Sequence, residues 1–415
     1  MFEDLFDGPI ALARQRTTPL AEERRRFLHH LKGLGYARSS LRNVACELVV
    51  IVRHLALSSD GPVALAAVDV AAQQWAKHQM RRRRSTKAAI SIRNVRYWAT
   101  QWLRFLGRLQ AAAPVAAPPY QTLLDGFTTY MRDEQGLASA SIRSHGWTTK
   151  TFLAWYWPHG RVLADVGIHD VDDFLMAKGR TTWSRRSVAV AVQALRAFFR
   201  YAERAGLCRP GIAAAITGPR RYHGEVLPAG PPWAEVQAIL SRAPECPADI
   251  RRAAALWLFA TYGFRVGEVA RLTLDDLDWE RDVIRIRRVK RHDVHTYPLS
   301  REAGAALARY VVEVRRRRRW REVFLTLQAP HRPRSPTGFY HLVQHVLAPR
   351  GLALRHHGPH ALRHACATRL LSQGLSFQEI GGHLGHRSAD ATAVYAKVDV
   401  LSLREVARFD LGGVL

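Results

Sequence analysis

"DVIRIRRVKRHDVHTYPLS", residues 282–300, alternates apolar side chains with charged ones. Val283, Ile284, Ile286 and Val289 interleave with arginines and polar residues. This is short-strand patterning with a charged turn between two strands. The surrounding sequence has helical periodicity instead. Helices are predicted over 232–243 and 249–261, and a long one over 301–321 ends in the run "RRRRRWR" at 315–321. Further helices follow to the end. The C-terminal segment therefore reads as helical with one small antiparallel sheet.

Working outward, two stretches rich in Pro, Ala or Gly look like exposed connections, "QAAAPVAAPPYQ" at 110–121 and "GPRRYHGEVLPAGPPW" at 218–233. They divide the chain into expected domains at 1–115, 118–217 and 228–415. The first two resemble each other. "FLHHLKGLGYARSSLRN" at 27–43 parallels "FTTYMRDEQGLASASIRS" at 127–144, with Gly35 answering Gly136 and Arg42 answering Arg143. Each then ends in an amphipathic helix, at 90–109 and 187–207, with apolar residues three and four apart. A duplicated small helical unit is expected.

The chain has 415 residues and 62 Lys and Arg against 35 Asp and Glu, a net charge of +27. That balance carries no information about fold, but it suits a polyanionic partner, DNA or RNA. Arginine's planar fork also matches phosphate oxygens. Cys46, Cys208, Cys246 and Cys366 lie far apart with no CxxC pair, as expected of structural thiols in a reducing cytosol. The first residues, "MFEDLFDGPIALARQR", have no signal-peptide pattern, and no apolar run offers a membrane span. A cytoplasmic, nucleoid-associated location is the expectation.

Four short motifs carry residues suited to phosphate chemistry. In "TYGFRVGEVARLTLDDLDW", 261–279, Arg265 and Glu268 are three apart and share a helical face. An arginine braced by its own glutamate is aimed at an anion; a surface ion pair is the plain alternative. In "HHGPHALRHACATRLL", 356–371, Pro359 suits a helix start. His360, Arg363, His364 and Ala367 form one face, with Leu362, Cys366 and Leu370 on another. The histidine spacing invites a zinc reading, but no glutamate or cysteine completes a site. Lys290 sits in the hairpin turn. "LGHRSADATAVY", 384–395, joins His386 to Tyr395 across a helix that Ser388 can cap. A phosphodiester transition state spreads charge over its non-bridging oxygens, and two arginines and two histidines can stabilise it. A tyrosine can attack and a lysine can protonate the leaving oxygen.

In order and spacing, Arg265, Lys290, His360-x-x-Arg363, His386 and Tyr395 resemble the tyrosine recombinase (phage integrase) family over about residues 228–410. The resemblance implies a mainly α fold with a small antiparallel β-sheet in the C-terminal catalytic domain. It also implies helical N-terminal DNA-binding domains of the SAM-like core-binding type, the first of them read as a second copy. It implies that Tyr395 attacks the scissile phosphate to give a 3′-phosphotyrosine, while Arg265, Arg363 and His386 hold the phosphate. His360 is then the general base and Lys290 the general acid, with Glu268 and His364 as supporting residues. No metal or other cofactor is implied. The partners are double-stranded DNA and further copies of the recombinase in a tetrameric synapse. Partner recombinases or an accessory DNA-bending protein are further candidates, and no membrane is expected.

The chain departs from the family pattern where Arg291 and Asp293 replace a glycine and a lysine after Lys290. Gly381, Gly382 and His383 are expected to loosen the turn before His386. A type IB topoisomerase, a carboxylate-metal transposase using the acids of "DDLDWERD", and a non-catalytic DNA-binding protein are the alternatives. The acids crowd one turn ahead of the first expected strand and look structural.

Overall fold

The computed structural model describes residues 1–57, 61–81, 88–110, 117–159, 161–220, 230–288, 293–315, 319–352, 354, 356–385 and 392. They fall in two compact units, one made of Met1–Ala111 with Val226–Leu415 and the other of Ala112–Glu225. No helix among the described residues is long and apolar enough to cross a membrane.

The chain begins with α1 (Phe2–Leu5), α2 (Pro9–Thr17), α3 (Ala21–Gly33) and α4 (Arg38–His54). In α4, Leu41, Val44, Ala45, Leu48, Ile51 and Val52 are buried, the stripe that 3.6-residue periodicity predicts. β1 (Val63–Ala64) pairs in parallel with β2 (Leu109–Gln110) and brackets α5 (Leu65–Arg81) and α6 (Ala88–Phe105). Phe27, Leu28, Leu48, Ile51 and Trp102 centre this core.

The second unit contains α7 (Gln121–Thr129), which widens into a π-type turn over Tyr130–Glu134, then α8 (Ser139–Tyr156), α9 (Ile168–Thr181), α10 (Arg185–Arg204) and α11 (Ile212–Ala215). The Ser184 hydroxyl caps α10 by accepting the Ser187 N–H. Phe127, Phe152, Phe174, Phe198 and Phe199 fill its core, each contributing on the order of 2–3 kcal/mol of apolar burial. The helix order α7–α8–α9–α10 repeats α3–α4–α5–α6. The first and last helices of each set are followed by a glycine at positive φ: Gly35 and Gly107 in one, Gly136 and Gly206 in the other.

The C-terminal segment is built around α13 (Pro247–Thr261), preceded by α12 (Trp233–Leu240). After α14 (Val266–Arg271) come β3 (Leu277–Asp278), β4 (Val283–Arg287) and β5 (Val294–Pro298), an antiparallel sheet in the order β3-β4-β5. Ile284 and Ile286 are the buried residues of β4, as the alternation predicts. Pro298 closes the edge strand, where no ladder donor is lost. Val289 lies outside the described residues. β3 was not foreseen: at two residues it is too short to show a period, and the acids expected ahead of the first strand flank and partly form it. Asp276 accepts the Thr273 N–H and hydroxyl, Asp278 pairs with Arg285, and Asp275 pairs with Arg321.

α15 (Arg301–Arg309) continues as a wider turn to Arg315. The helix expected to reach 321 is described to Arg315, and residues 319–321 are not helical. The reason is a long-range acceptor. Arg315 is buried and donates to the carbonyls of Trp320 and Glu322, folding the following chain back. That chain then pairs with Leu272–Leu274. α16 (Pro336–Leu347), α17 (Pro359–Ser372) and α18 (Phe377–Leu384) complete the described part. Pro359 opens α17 as expected. The two-faced reading of α17 gives way to burial on nearly every side, because α12, α13, α16 and α18 all pack on it.

Candidate functional site

Three chain turns converge on the end of α18. The first follows α13. Gly263 (φ 61) ends that helix in the left-handed conformation, and Phe264 drops into the core. A Cβ on Gly263 would lie 2.6 Å from Leu384 Cδ2, so only glycine lets the turn sit this close to α18. Arg265 is then the N-cap of α14 rather than a residue within it, and Glu268 is its third position. Glu268 Oε2 accepts the Arg265 N–H (2.8 Å), and Oε1 accepts from Arg265 Nη1 (3.2 Å). The expected pairing is present, with the glutamate serving helix cap and guanidinium together.

The second turn is the C-terminus of α18. Gly385 (φ 64) ends the helix, and the expected loosening at Gly381–His383 is not found: all three are helical. The three last carbonyls are each held by a cation. His383 O accepts from Arg288 Nη2 (3.1 Å), Leu384 O from Arg363 Nη2 (2.7 Å) and Gly385 O from Arg265 Nη2 (2.9 Å). Helix C-termini carry partial negative charge, so cations there are favourable. Arg363 reaches this point from α17, is 3% exposed, and also donates to Gly263 O.

The third turn is the end of β4. Arg288 is 4% exposed and its Nη1 donates to Glu268 Oε2 (3.0 Å). Nη2 also bonds the Tyr297 hydroxyl, which donates to His383 O (2.6 Å). Arg288 and Tyr297 were not singled out from sequence. The signal was available: Ile284, Ile286 and Arg288 continue one period-two series on the buried face.

Three arginines thus gather at the end of α18, with one buried carboxylate paired to two of them, a strongly positive setting. His383 responds to it. Burial, then Arg288 and Arg363, hold its imidazole below the ordinary histidine value, against the pull of the Thr261 and Tyr262 carbonyls. The folded state therefore prefers neutral His383, whereas the unfolded chain takes up a proton near pH 6.5. Stability from this group is complete above that pH and declines as pH falls below it. His383→Leu is expected to flatten the acid limb of Tm against pH relative to the parent. His54 and His145 shift in the same direction but are common to both proteins. An identical acid limb in both would contradict the assignment. Burial also pushes the Cys366 thiol up to about 12, so it is inert beside the site.

His360 lies exposed in the first turn of α17, its ring 4.4 Å from that of His364 between centroids. Lys290, His386 and Tyr395, and the cap expected from Ser388, lie outside the described residues. Thr392, three residues before Tyr395, is buried; a Cβ on Gly381 of α18 would meet its Oγ1 at 3.0 Å.

The model of the phage integrase family matches residues 233–401, and that of the phage integrase N-terminal SAM-like domain matches 124–206. The tyrosine recombinase XerD of Mycobacterium tuberculosis is 30% identical over 301 residues, covering 68% of this chain and 95% of that protein. A candidate integrase/recombinase of Sinorhizobium fredii is 28% identical over 98% of this chain and 95% of its own length. In fold, the chain is similar to the XerH site-specific recombinase in a post-cleavage complex with a palindromic difH substrate. The TM-score is 0.57 at 15% identity, over 85% of this chain and 98% of that one. A mainly helical protein with a three-stranded sheet and arginines gathered at one helix end is the class so defined. The chain belongs to the phage integrase family, the tyrosine recombinases. It is a site-specific DNA recombinase, an enzyme of DNA strand breakage and rejoining.

Proposed function

We propose that this recombinase cuts and rejoins duplex DNA through a 3′-phosphotyrosine on Tyr395, in the service of a mobile element. The observation that carries the reading is the gathering of Arg265, Arg288 and Arg363 on the carbonyls of His383, Leu384 and Gly385, immediately before His386, with the buried Glu268 carboxylate pairing the first two. Such a cluster offers preorganised positive charge to a phosphate whose non-bridging oxygens gain charge in the transition state. Arg265 and Arg363 hold those oxygens and His386 adds a hydrogen bond. His360 takes the phenolic proton as Tyr395 bonds to phosphorus. The bond to the 5′ oxygen breaks, and Lys290 protonates that oxygen. The phosphodiester energy is kept in the tyrosyl ester, so rejoining reverses the same steps. Because arginines carry the charge stabilisation, the scheme requires no metal ion. Thr392 buried against Gly381 of its own chain supports delivery of Tyr395 within one subunit.

A nicked duplex that loses its leaving strand traps the intermediate. The expected result is a covalent protein–DNA adduct on Tyr395, formed equally with and without chelator. A chelator-sensitive cut, or an adduct elsewhere, overturns the reading. Strand exchange between two sites, assembled on DNA as a tetramer, separates it from simple relaxation of one plasmid.

Residues 1–115 are proposed to be a second core-binding-like domain before the one at 118–217, with the catalytic domain at 228–415. The repeated helix order and the paired left-handed glycines support this. Deleting 1–115 is expected to weaken binding to a full-length site by roughly tenfold or more. Its salt slope should fall by about one for each phosphate that the shortened protein no longer neutralises. Cleavage of a core site is expected to persist. Unchanged binding and an unchanged salt slope would remove the proposed role.

A further inference from the structure

A buried arginine is tolerated only with acceptors for its donors. Both Nη groups of Arg288 find them, at Glu268, the Tyr297 hydroxyl and the turn that precedes His386, while its Nε has no hydrogen-bond partner among the described residues. Its partners and those of Arg265 make a closed circuit. Arg265 Nη1 holds Glu268 Oε1, Glu268 Oε2 holds Arg288 Nη1, Arg288 Nη2 holds His383 O, and two residues on, Gly385 O holds Arg265 Nη2. The Tyr297 hydroxyl braces the His383 corner. Gly385 lies directly on the Arg288 guanidinium: a Cβ there would be 2.7 Å from its central carbon.

The division of the Glu268 carboxylate matters for Arg265. Each carboxylate oxygen faces one guanidinium. Remove Arg288, and Oε2 loses its side-chain cation, leaving the whole carboxylate charge to Arg265. A bidentate pair of that kind is strong and would neutralise the very arginine that must meet the phosphate. The same substitution would leave the His383 carbonyl, one of the three in the turn before His386, to the Tyr297 hydroxyl alone.

We infer that Arg288 is a positioning residue for strand cleavage. It holds one oxygen of Glu268 so that Arg265 keeps its charge for the phosphate, and it pins the His383–Gly385 turn. This rests on the phosphate-binding role proposed for Arg265.

The test is a double-mutant cycle in single-turnover cleavage of the nicked duplex, using the full chain. Arg288→Met is expected to lower the rate at saturating DNA by about 100-fold, the scale of a misplaced reacting group. The DNA concentration for half-maximal cleavage should stay nearly unchanged. In an Arg265→Ala background, Arg288→Met should cost clearly less than in the parent, because the part of its effect that passes through Arg265 is already lost. Arg288→Lys keeps a charge beside Glu268 and should recover part of the rate. Multiplicative effects in the cycle, or a defect confined to DNA affinity, overturn the inference. Should Arg288→Met not fold, Tyr297→Phe removes only the bracing hydroxyl. It is expected to slow cleavage by roughly threefold to tenfold, the scale of one hydrogen bond, at unchanged affinity, and an unaltered rate overturns the inference. Absence of adduct with the parent protein would instead defeat the proposed reaction itself.

Discussion

Tyr395→Phe is expected to abolish covalent capture of DNA, lowering single-turnover cleavage by about 10⁴-fold or more, as removal of a nucleophile does in other covalent enzymes. The substitution removes one oxygen and leaves the ring. Binding to intact sites should therefore be preserved, and filter or gel-shift titration should give the parent affinity. The two readouts together are decisive. A missing adduct with weakened binding would mean that the residue packs rather than reacts. Retained adduct would mean that another group attacks. Cys366, three residues after Arg363 on α17, is buried and its thiol is pushed up to about 12, so it offers no substitute nucleophile.

Arg363→Ala is expected to act on both catalysis and folding. The side chain is 3% exposed and joins two elements, donating to Gly263 O after α13 and to Leu384 O at the end of α18. Alanine leaves both carbonyls unpaired in a closed space, a decrease of about 2–5 kcal/mol in unfolding free energy. It also removes one cation from the proposed phosphate site, for a further drop of about 10²–10³ in cleavage rate per folded molecule. Denaturant titration and single-turnover cleavage separate the two effects. Arg363→Lys keeps the charge but not the fork, and should restore stability more than rate. A normal rate in the folded alanine variant would exclude Arg363 from phosphate binding.

The sequence made some of this legible because certain signals are local. Arg265 and Glu268 are three residues apart, so one turn of chain displays their relation. Ile284 and Ile286 announce a strand by alternation, and Pro359 announces a helix. What escaped depends on distant partners. Arg288 looked like one more cation in a basic hairpin, and only its bonds to Glu268, Tyr297 and His383 set it apart. His383 was read as a weak point in a turn. In the structure its carbonyl is an anchor, and its ring packs edge-on against Tyr297. The helix from Arg301 does not extend to 321: a run of arginines shows no stop in sequence, whereas the bonds of Arg315 to carbonyls five and seven residues on fold the chain back. The roles of Lys290, His386 and Tyr395 still stand on order and spacing.

The three carbonyls at the end of α18 settle the charge chemistry of this corner. Cationic side chains crowded into one poorly hydrated corner would otherwise repel one another and swing outward. Neutral backbone oxygens quiet that repulsion without cancelling the charge, as a bound counter-ion would. At the proposed site, a phosphate arriving at Arg265 and Arg363 would meet guanidinium groups already held by backbone carbonyls and still electropositive. Little rearrangement then separates capture of the DNA from the first chemical step.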